Sequence, residues 1–293
     1  MTIPVLRTAR DLRTLDGLRG ERPLVFVPTM GALHAGHLAL ARRGAELGSV
    51  VVSIFVNPTQ FGPGEDFEKY PRNLGHDLAL LEPCGVAAAF TPSVESMYGR
   101  EVGVTVQPGP RAAGLCGASR PGHFAGVLTV VAKLFNLVRP DVAIFGRKDA
   151  QQCLVIAEMV EDLKFPVRLI DHSTVREADG LAMSSRNAYL GDDDRRRALG
   201  LSQALGAARA ALAGGERDPE ALRGLMLAHL AVADAVDYAE VRRVPDLSRP
   251  ETAAGRLLLA IAAKVGPARL IDNLVLDVDD AGVRETSLLE ERC

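Results

Sequence analysis

The chain has 293 residues, of which 47% are hydrophobic and 24% charged, with a formal net charge of −3. That balance excludes a disordered chain and gives no basic bias toward nucleic acid or anionic membrane. The length predicts about two domains.

Aromatic residues make up 4% and Trp is absent, so the core must rest on Val, Leu, Ile and Ala. Of the 34 basic residues only five are lysine, namely Lys69, Lys133, Lys148, Lys164 and Lys264. With arginine covering the surface, a lysine beside chemically suggestive residues stands out. Cys84, Cys116, Cys153 and Cys293 form no CxxC pair and read as buried or incidental thiols of a reducing compartment. The N-terminus lacks the apolar stretch of a signal peptide, and no apolar run is long enough to span a bilayer. The expectation is a cytoplasmic protein.

Short apolar runs alternate with amphipathic segments through the first two-thirds. Residues 24–28 read as a strand, 37–47 as a helix, 50–56 as a strand, 77–82 as a helix, and 86–90 and 102–107 as strands. Residues 127–138 read as a buried helix, 142–145 as a strand, 150–163 as a helix and 167–171 as a strand. Nearly all-apolar strands alternating with helices predict an α/β fold, a Rossmann-like doubly wound parallel sheet covered on both faces. The character changes after about residue 176. Two helices over 194–213 and 218–233 precede strands over 236–244, 256–265 and 269–278, which predicts a smaller α+β domain. The expected domains are 1–176 and 177–293. The charge run 192–197 reads as a solvated helix start with its arginines facing water.

The most informative stretch is PTMGALHAGH, residues 28–37. It leaves a strand, turns at Gly31 and Gly36, and enters a helix, which predicts free backbone N–H groups ready for phosphate. Gly36 is expected to let the backbone approach a ligand. His34 and His37 form an H-x-G-H pair that can donate hydrogen bonds to phosphate oxygens. A zinc half-site and two packed or solvated histidines are the competing readings of the pair, and no third zinc ligand is visible.

Together with SIFVNPTQFGPGEDFEKYPR (53–72), RPGHFAGVLTVVAKLFNLVRPDVAIFGRKDAQQ (120–152) and READGLAMSSRNAYL (176–190), this stretch resembles the pantothenate synthetase (pantoate–β-alanine ligase) family. That family falls within the superfamily of HIGH-motif nucleotidyltransferases and class I aminoacyl-tRNA synthetases. The resemblance implies condensation of pantoate with β-alanine through a pantoyl adenylate, with ATP consumed in the presence of Mg²⁺ and pyrophosphate and AMP released.

By that resemblance, Met30, Gly31, His34 and His37 lie along the nucleotide, and His37 is the proton donor to the leaving pyrophosphate. Gly146, Lys148 and Asp149 contact the nucleotide after a strand end, with Lys148 on the α-phosphate and Asp149 on the ribose. Asp149 also reads as a cap for the next helix. Val175 contacts adenine, and Met183, Ser184, Ser185 and Arg186 close over the β- and γ-phosphates. The alternative for that last segment is a hydroxyl-rich helix start. Gln60 and Gln152 hold pantoate. Asn57 is a second candidate there, with plain turn chemistry before Pro58 as its alternative.

Arg147 stands where the family often has an acid and carries no assigned role. Arg120 and His123 are expected near the site without a defined part. The loop over 61–72 is proposed as a lid, because a mixed anhydride must be kept from water. No protein ligand for Mg²⁺ is readable, although Asp77 and Glu82 are taken as exposed acids. The resemblance further implies a homodimer, with no nucleic-acid or membrane partner. Another small nucleotidyltransferase, a truncated aminoacyl-tRNA synthetase and a non-catalytic nucleotide sensor remain as alternatives. Pyrophosphate exchange with pantoate or with amino acids separates the first two from the main reading, and AMP release separates the last.

Overall fold

The computed structural model describes residues 2–18, 20, 22–244 and 246–289, so Cys293 lies outside the described residues. Strands β1 (Val5–Leu6), β2 (Leu24–Thr29), β3 (Ser49–Ile54), β4 (Val86–Phe90), β5 (Val142–Gly146) and β6 (Arg168–His172) form one parallel sheet. Their order is β1-β4-β3-β2-β5-β6. Helices α1 (Ala35–Leu47), α2 (Leu74–Leu81), α3 (Val94–Tyr98), α4 (Cys116–Ser119), α5 (His123–Val138) and α6 (Ala150–Asp162) belong to this part of the chain.

The central strands are almost wholly apolar because both faces are covered. In β2, Val25 and Val27 join a core with Leu40 and Ala41 of α1 and Leu81 of α2. Leu24 and Phe26 face the other way, into a core with α5 and α6. Burying each such large side chain stabilises the fold by about 1.5–3 kcal/mol. Gly126 lets α5 come close to the turn after β3, since a Cβ there would lie 2.2 Å from the Thr59 carbonyl oxygen.

Helices α7 (Asp192–Ala213) and α8 (Pro219–His229) follow, and then β7 (Ala235–Arg243), β8 (Gly255–Val265), β9 (Ala268–Asp279) and β10 (Gly282–Glu285). Asp218 caps α8 by accepting from the Glu220 N–H, with Pro219 in the first turn, where its missing N–H costs nothing. The four strands form an antiparallel sheet ordered β10-β9-β8-β7. Leu257, Leu259, Ile261 and Ala263 of β8 pack under α7 and α8. Leu258 and Ala260 of β8, with Val275 of β9, pack instead into the core of the parallel part. Burial on both faces explains why β8 reads as one nearly unbroken apolar run.

Two expectations are corrected. Residues 102–107 form no strand, and Val104 is 82% exposed. The Val106 N–H bonds the Thr129 hydroxyl of α5 at 2.9 Å rather than a neighbouring strand. β-Branched residues alone do not make a strand without a pairing partner. In the charge run, Asp192, Asp193 and Asp194 do sit in the first turn of α7. Its arginines are not simply solvated, however. Arg195 pairs with Glu177 and Asp179, Arg196 with Asp193, and Arg197 with Asp194 and Asp234.

Candidate active site

The strand order reverses between β2 and β5, which sit side by side in the sheet. Open α/β sheets bind ligands in the crevice at the carboxyl ends of strands that diverge in this way. The loop after β2 carries His34 and His37, and the loop after β5 carries Gly146, Lys148 and Asp149, so chain topology alone brings these groups together.

The loop after β2 is wired internally. Thr29 accepts from the Gly31 N–H at 3.3 Å, and the Asp77 carboxylate accepts from Ala32 at 3.1 Å and from Leu33 at 2.9 Å. His34 caps α1, its Nδ1 accepting from the Gly36 N–H at 3.2 Å, while His37 Nδ1 accepts from the His34 N–H at 3.4 Å. The backbone donors expected to meet phosphate are therefore largely bonded within the protein. Gly36 differs from expectation as well: the space a Cβ would take is filled by the His34 ring, 2.9 Å away.

This wiring fixes the tautomers. Each Nδ1 accepts, so each neutral ring carries its proton on Nε2. The rings lie 4.1 Å apart, centroid to centroid. Burial lowers the His34 pKa to about 4, assisted by the Lys148 charge, and that of His37 to about 3, assisted by His34 and Lys148. Both rings are thus neutral donors near pH 7.

Asn57 and Gln60 occupy the turn after β3, and both are buried. Asn57 caps this turn by accepting from the Thr59 N–H. Its amide donates to Gln60 Oε1 at 2.9 Å and to the Gly126 carbonyl at 3.2 Å, while its oxygen accepts from the Tyr98 hydroxyl at 2.6 Å. The polar atoms of Asn57 are committed to the protein, and its effect is to orient Gln60. Gln60 Nε2 lies 3.1 Å from Met30 Sδ, a soft partner for an amide that could bind something better.

His123 and Arg120 support the same turn. Arg120 donates to His123 Nε2 at 3.1 Å, so the imidazole proton sits on Nδ1 and is donated to the Gln60 carbonyl at 2.8 Å. Burial, with Arg120 beside it, lowers the His123 pKa to about 4.

The loop after β5 is held from below. Arg147 is buried and pairs with Asp171 at 2.6 Å, which gives it a structural role. Asn273 of β9 donates to the carbonyls of Arg147 at 3.0 Å and Lys148 at 2.8 Å. Next to it, Asp272 binds Arg176 through both oxygens, at 2.7 and 3.0 Å. Asp149 occupies the cap position of α6 but makes no capping bond, so its exposed carboxylate is not spent on the helix.

The opposite wall is the segment 183–186 with the loop 61–72. The Met183 N–H bonds the Val175 carbonyl at 2.9 Å, and Ser184 caps a short turn by accepting from the Arg186 N–H. Arg186 pairs with Asp66 at 2.9 and 3.1 Å, and Tyr70 lines the same cavity as Ser185. Glu65, the residue before Asp66, binds Arg120 at 2.5 and 2.7 Å.

A cavity of about 230 Å³ is lined by Met30, His34, His37, Asn57, Gln60, Gly146, Lys148, Asp149, Gln152, Val175, Met183, Ser184, Ser185 and Arg186. Every site residue expected from the sequence lines it except Gly31, which shapes the loop behind. A larger cavity of about 760 Å³ opens from it, sharing Arg120, His123, Lys148, Gln152 and Arg186. Its far wall is the antiparallel sheet, including Tyr238, Lys264, Arg269, Asp272 and Asn273. The acidic loop residues Glu65 and Asp66 line it too.

Among the described residues, no three His, Cys, Asp or Glu side chains are grouped to hold a metal. Asp77 is only 2% exposed and both its oxygens are engaged, so it is not the exposed acid expected. Glu82 is exposed and lines neither cavity. This donor set fits Mg²⁺ held mainly by phosphate and water oxygens rather than by a protein cage.

Sequence reading missed Asp272 and Asn273 as parts of the site, took Asp77 for an exposed acid, and gave Glu65 and Asp66 no part beyond the loop 61–72 that contains them. The Asp-Asn pair inside the otherwise largely apolar β9 was a visible signal, because polar groups buried in a strand need partners. Asp77 gave no local signal, since its partners lie more than forty residues away, at Ala32 and Leu33.

Sheet and cavity together define a ligand-binding α/β protein with its site at a switch point. The chain belongs to the pantoate-beta-alanine ligase family, which it matches over residues 4–275, and is accordingly a ligase. It is 52% identical over 263 residues to pantothenate synthetase of Heliobacterium modesticaldum, covering 89% of this chain and 94% of that one. A crystal structure of pantothenate synthetase from Thermus thermophilus matches it with a TM-score of 0.88 at 43% identity, covering 93% of this chain and 99% of that one. Pantoate-beta-alanine ligase from Francisella tularensis, complexed with beta-gamma ATP and beta-alanine, matches with a TM-score of 0.75 at 31% identity, covering 93% of this chain and 97% of that one.

Proposed function

We propose that the protein joins pantoate to β-alanine at the expense of ATP, through a pantoyl adenylate. The observation that carries this reading is the convergence of Gln60 and Gln152 with His34, His37 and Lys148 on one cavity. Amides suit a small polyhydroxy acid because each offers donors and an acceptor. Pantoate's carboxylate oxygen attacks the α-phosphorus, and the bond to pyrophosphate breaks. Lys148 offsets negative charge at the α-phosphate as it builds, with no carboxylate within ion-pair distance to neutralise it among the described residues.

His34 and His37 present Nε2–H to the phosphates. Because burial keeps them neutral, they act as fixed hydrogen-bond donors to the leaving pyrophosphate, and His37, the proton donor expected from the sequence, holds that charge by its N–H without giving the proton up. Mg²⁺ brought in with ATP would add charge neutralisation, with no cluster of His, Cys, Asp or Glu among the described residues to hold it. The β-alanine amine then attacks the acyl carbon, forming the amide bond, and AMP leaves with the electron pair of the broken acyl–phosphate bond. Val175 contacts adenine, Asp149 the ribose, and Met183, Ser184, Ser185 and Arg186 close over the distal phosphates. Met30 and Gly146 form the backbone along the nucleotide, and Gly31, expected there too, shapes the loop behind instead.

The same reading makes residues 1–176 the nucleotide- and pantoate-binding domain and 177–293 the domain that closes over ATP, with the loop 61–72 as a lid. It also makes the protein a cytoplasmic homodimer acting without nucleic acid or membrane. Among the described residues, no helix is long and apolar enough to cross a membrane.

Supplying ATP, Mg²⁺, pantoate and β-alanine should yield AMP and pantothenate in equal amounts. No AMP release with these substrates overturns the proposal. EDTA should abolish the reaction, whereas a zinc-selective chelator should leave it intact. Hydrogen exchange in residues 61–72 should slow on adding ATP and pantoate, and an unchanged rate removes the lid.

A further inference from the structure

The loop after β2 contains two consecutive residues in the left-handed region, Gly31 at φ +79° and Ala32 at φ +49°. Glycine tolerates that geometry, but alanine adopts it only against a steric penalty. Successive N–H groups on such a turn converge to form a concavity suited to an anion. Here the N–H groups of Ala32 and Leu33 converge on the Asp77 carboxylate, one to each oxygen, at 3.1 and 2.9 Å. The fit is close: a Cβ on Gly31 would lie 3.0 Å from Asp77 Oδ2. Asp77 itself is fixed in α2, its own N–H donating to the Asn73 carbonyl at 3.0 Å.

The next residue along the chain is His34, whose N–H holds the His37 ring and whose own ring caps α1. The path of residues 31–33 therefore sets where both imidazoles point.

We infer that Asp77 is the positioning residue of the histidine pair: a protein carboxylate fills the anion-binding turn and fixes His34 and His37 for the leaving phosphates. It occupies the place a phosphate would otherwise take and hands phosphate contact to the two Nε2–H groups. This assignment rests on the adenylation reading above, but its structural half can be tested without activity.

The experiment compares wild-type enzyme with Asp77→Asn, Asp77→Ala and the double variant Asp77→Asn/Ala32→Gly. Misplacing a catalytic group by about 1 Å can cost about 100-fold, so adenylate formation by Asp77→Asn should fall about 10- to 100-fold in kcat. The KM for pantoate should stay within about twofold, and aminolysis of synthetic pantoyl adenylate within about threefold, because neither depends on the pair. Ala32→Gly removes the steric penalty on the turn and should restore part of the lost kcat. The His34 and His37 imidazole resonances should shift in Asp77→Asn, with a thermal midpoint that keeps the variant folded at assay temperature.

Adenylation at the wild-type rate in folded Asp77→Asn or Asp77→Ala overturns the inference. Recovery of Asp77→Asn by excess Mg²⁺, without help from Ala32→Gly, also overturns it and assigns Asp77 to a metal instead. Equal losses in both half-reactions reduce Asp77 to general support of the fold and likewise overturn it. If wild-type enzyme makes no pantothenate, the adenylation reading fails. In that event the imidazole resonances still decide whether Asp77 sets the rings.

Discussion

The two walls of the cavity are held by different kinds of bond. On the β2 side, a buried carboxylate and reciprocal histidine caps tie the loop to its own backbone. On the other side, Glu65 and Asp66 hold Arg120 and Arg186 through partly exposed ion pairs. Bonds of the first kind are costly to break because the groups left behind are buried. Bonds of the second kind are typically worth at most about 1 kcal/mol, and a phosphate can replace the carboxylate on the same guanidinium. On the adenylation reading proposed above, the groups acting on charge would be placed in advance, while those proposed to enclose the nucleotide would exchange partners as it arrives.

Substitutions on each wall should therefore differ in kind. Lys148→Ala, on the loop after β5 that Asn273 anchors, should lower adenylate formation by about 10²–10³-fold, the loss expected for a preplaced electrostatic donor. Rapid-quench measurement of adenylate checks this, and a loss below about tenfold makes Lys148 a binding accessory. Gln60→Ala should raise the pantoate KM by about tenfold, near the value of one hydrogen bond to a charged group, and leave the ATP KM within about twofold. An unchanged pantoate KM removes Gln60 from that substrate.

Acid should weaken the fixed side through its neutral histidines. His123 has a folded pKa of about 4 against an ordinary value of 6.5, so between these the unfolded chain holds the extra proton. The stabilisation is complete above pH 6.5 and is lost as the pH falls toward 4, by up to about 1.4 kcal/mol per pH unit. His34 and His37 act in the same direction. Thermal melts should show Tm falling from about pH 7 to about pH 5, and His123→Asn should flatten that slope. The smallest effect belongs to the exchanging side. Asp66→Asn should lower the ATP KM by about two- to fivefold at low salt by freeing Arg186. A raised KM instead shows that Asp66 helps hold the nucleotide.

How far each feature could be read in the sequence follows the same division. Strand β2, helix α1 and the His34–His37 pair are marked by a continuous local pattern, because strand, turn and helix follow one another within residues 24–47, whereas the cavity residues from Asn57 to Arg186 were legible only through the family resemblance. Asp77, Asn273 and the Asp66–Arg186 pair were not legible, since each acts on a partner distant in the chain. Strand β1 is two residues long and is defined by its pairing with β4 rather than by a pattern of its own. The valines at 102–107 mimic a strand in composition but lack the neighbour that would make one.

The anchors of the loop after β5 bear on how the enzyme is made. Asn273 holds the carbonyls of Arg147 and Lys148, and the N–H groups of Leu288 and Leu289 bind Asp171, the partner of Arg147. Domains emerge from the ribosome N-terminus first and fold as they appear. The parallel sheet is complete once residue 172 has emerged, about one hundred residues before these anchors are synthesised. The nascent chain can thus hold its histidines in place while its lysine loop is still unsupported, and activity should begin only once residues 273–289 have emerged and anchored that loop.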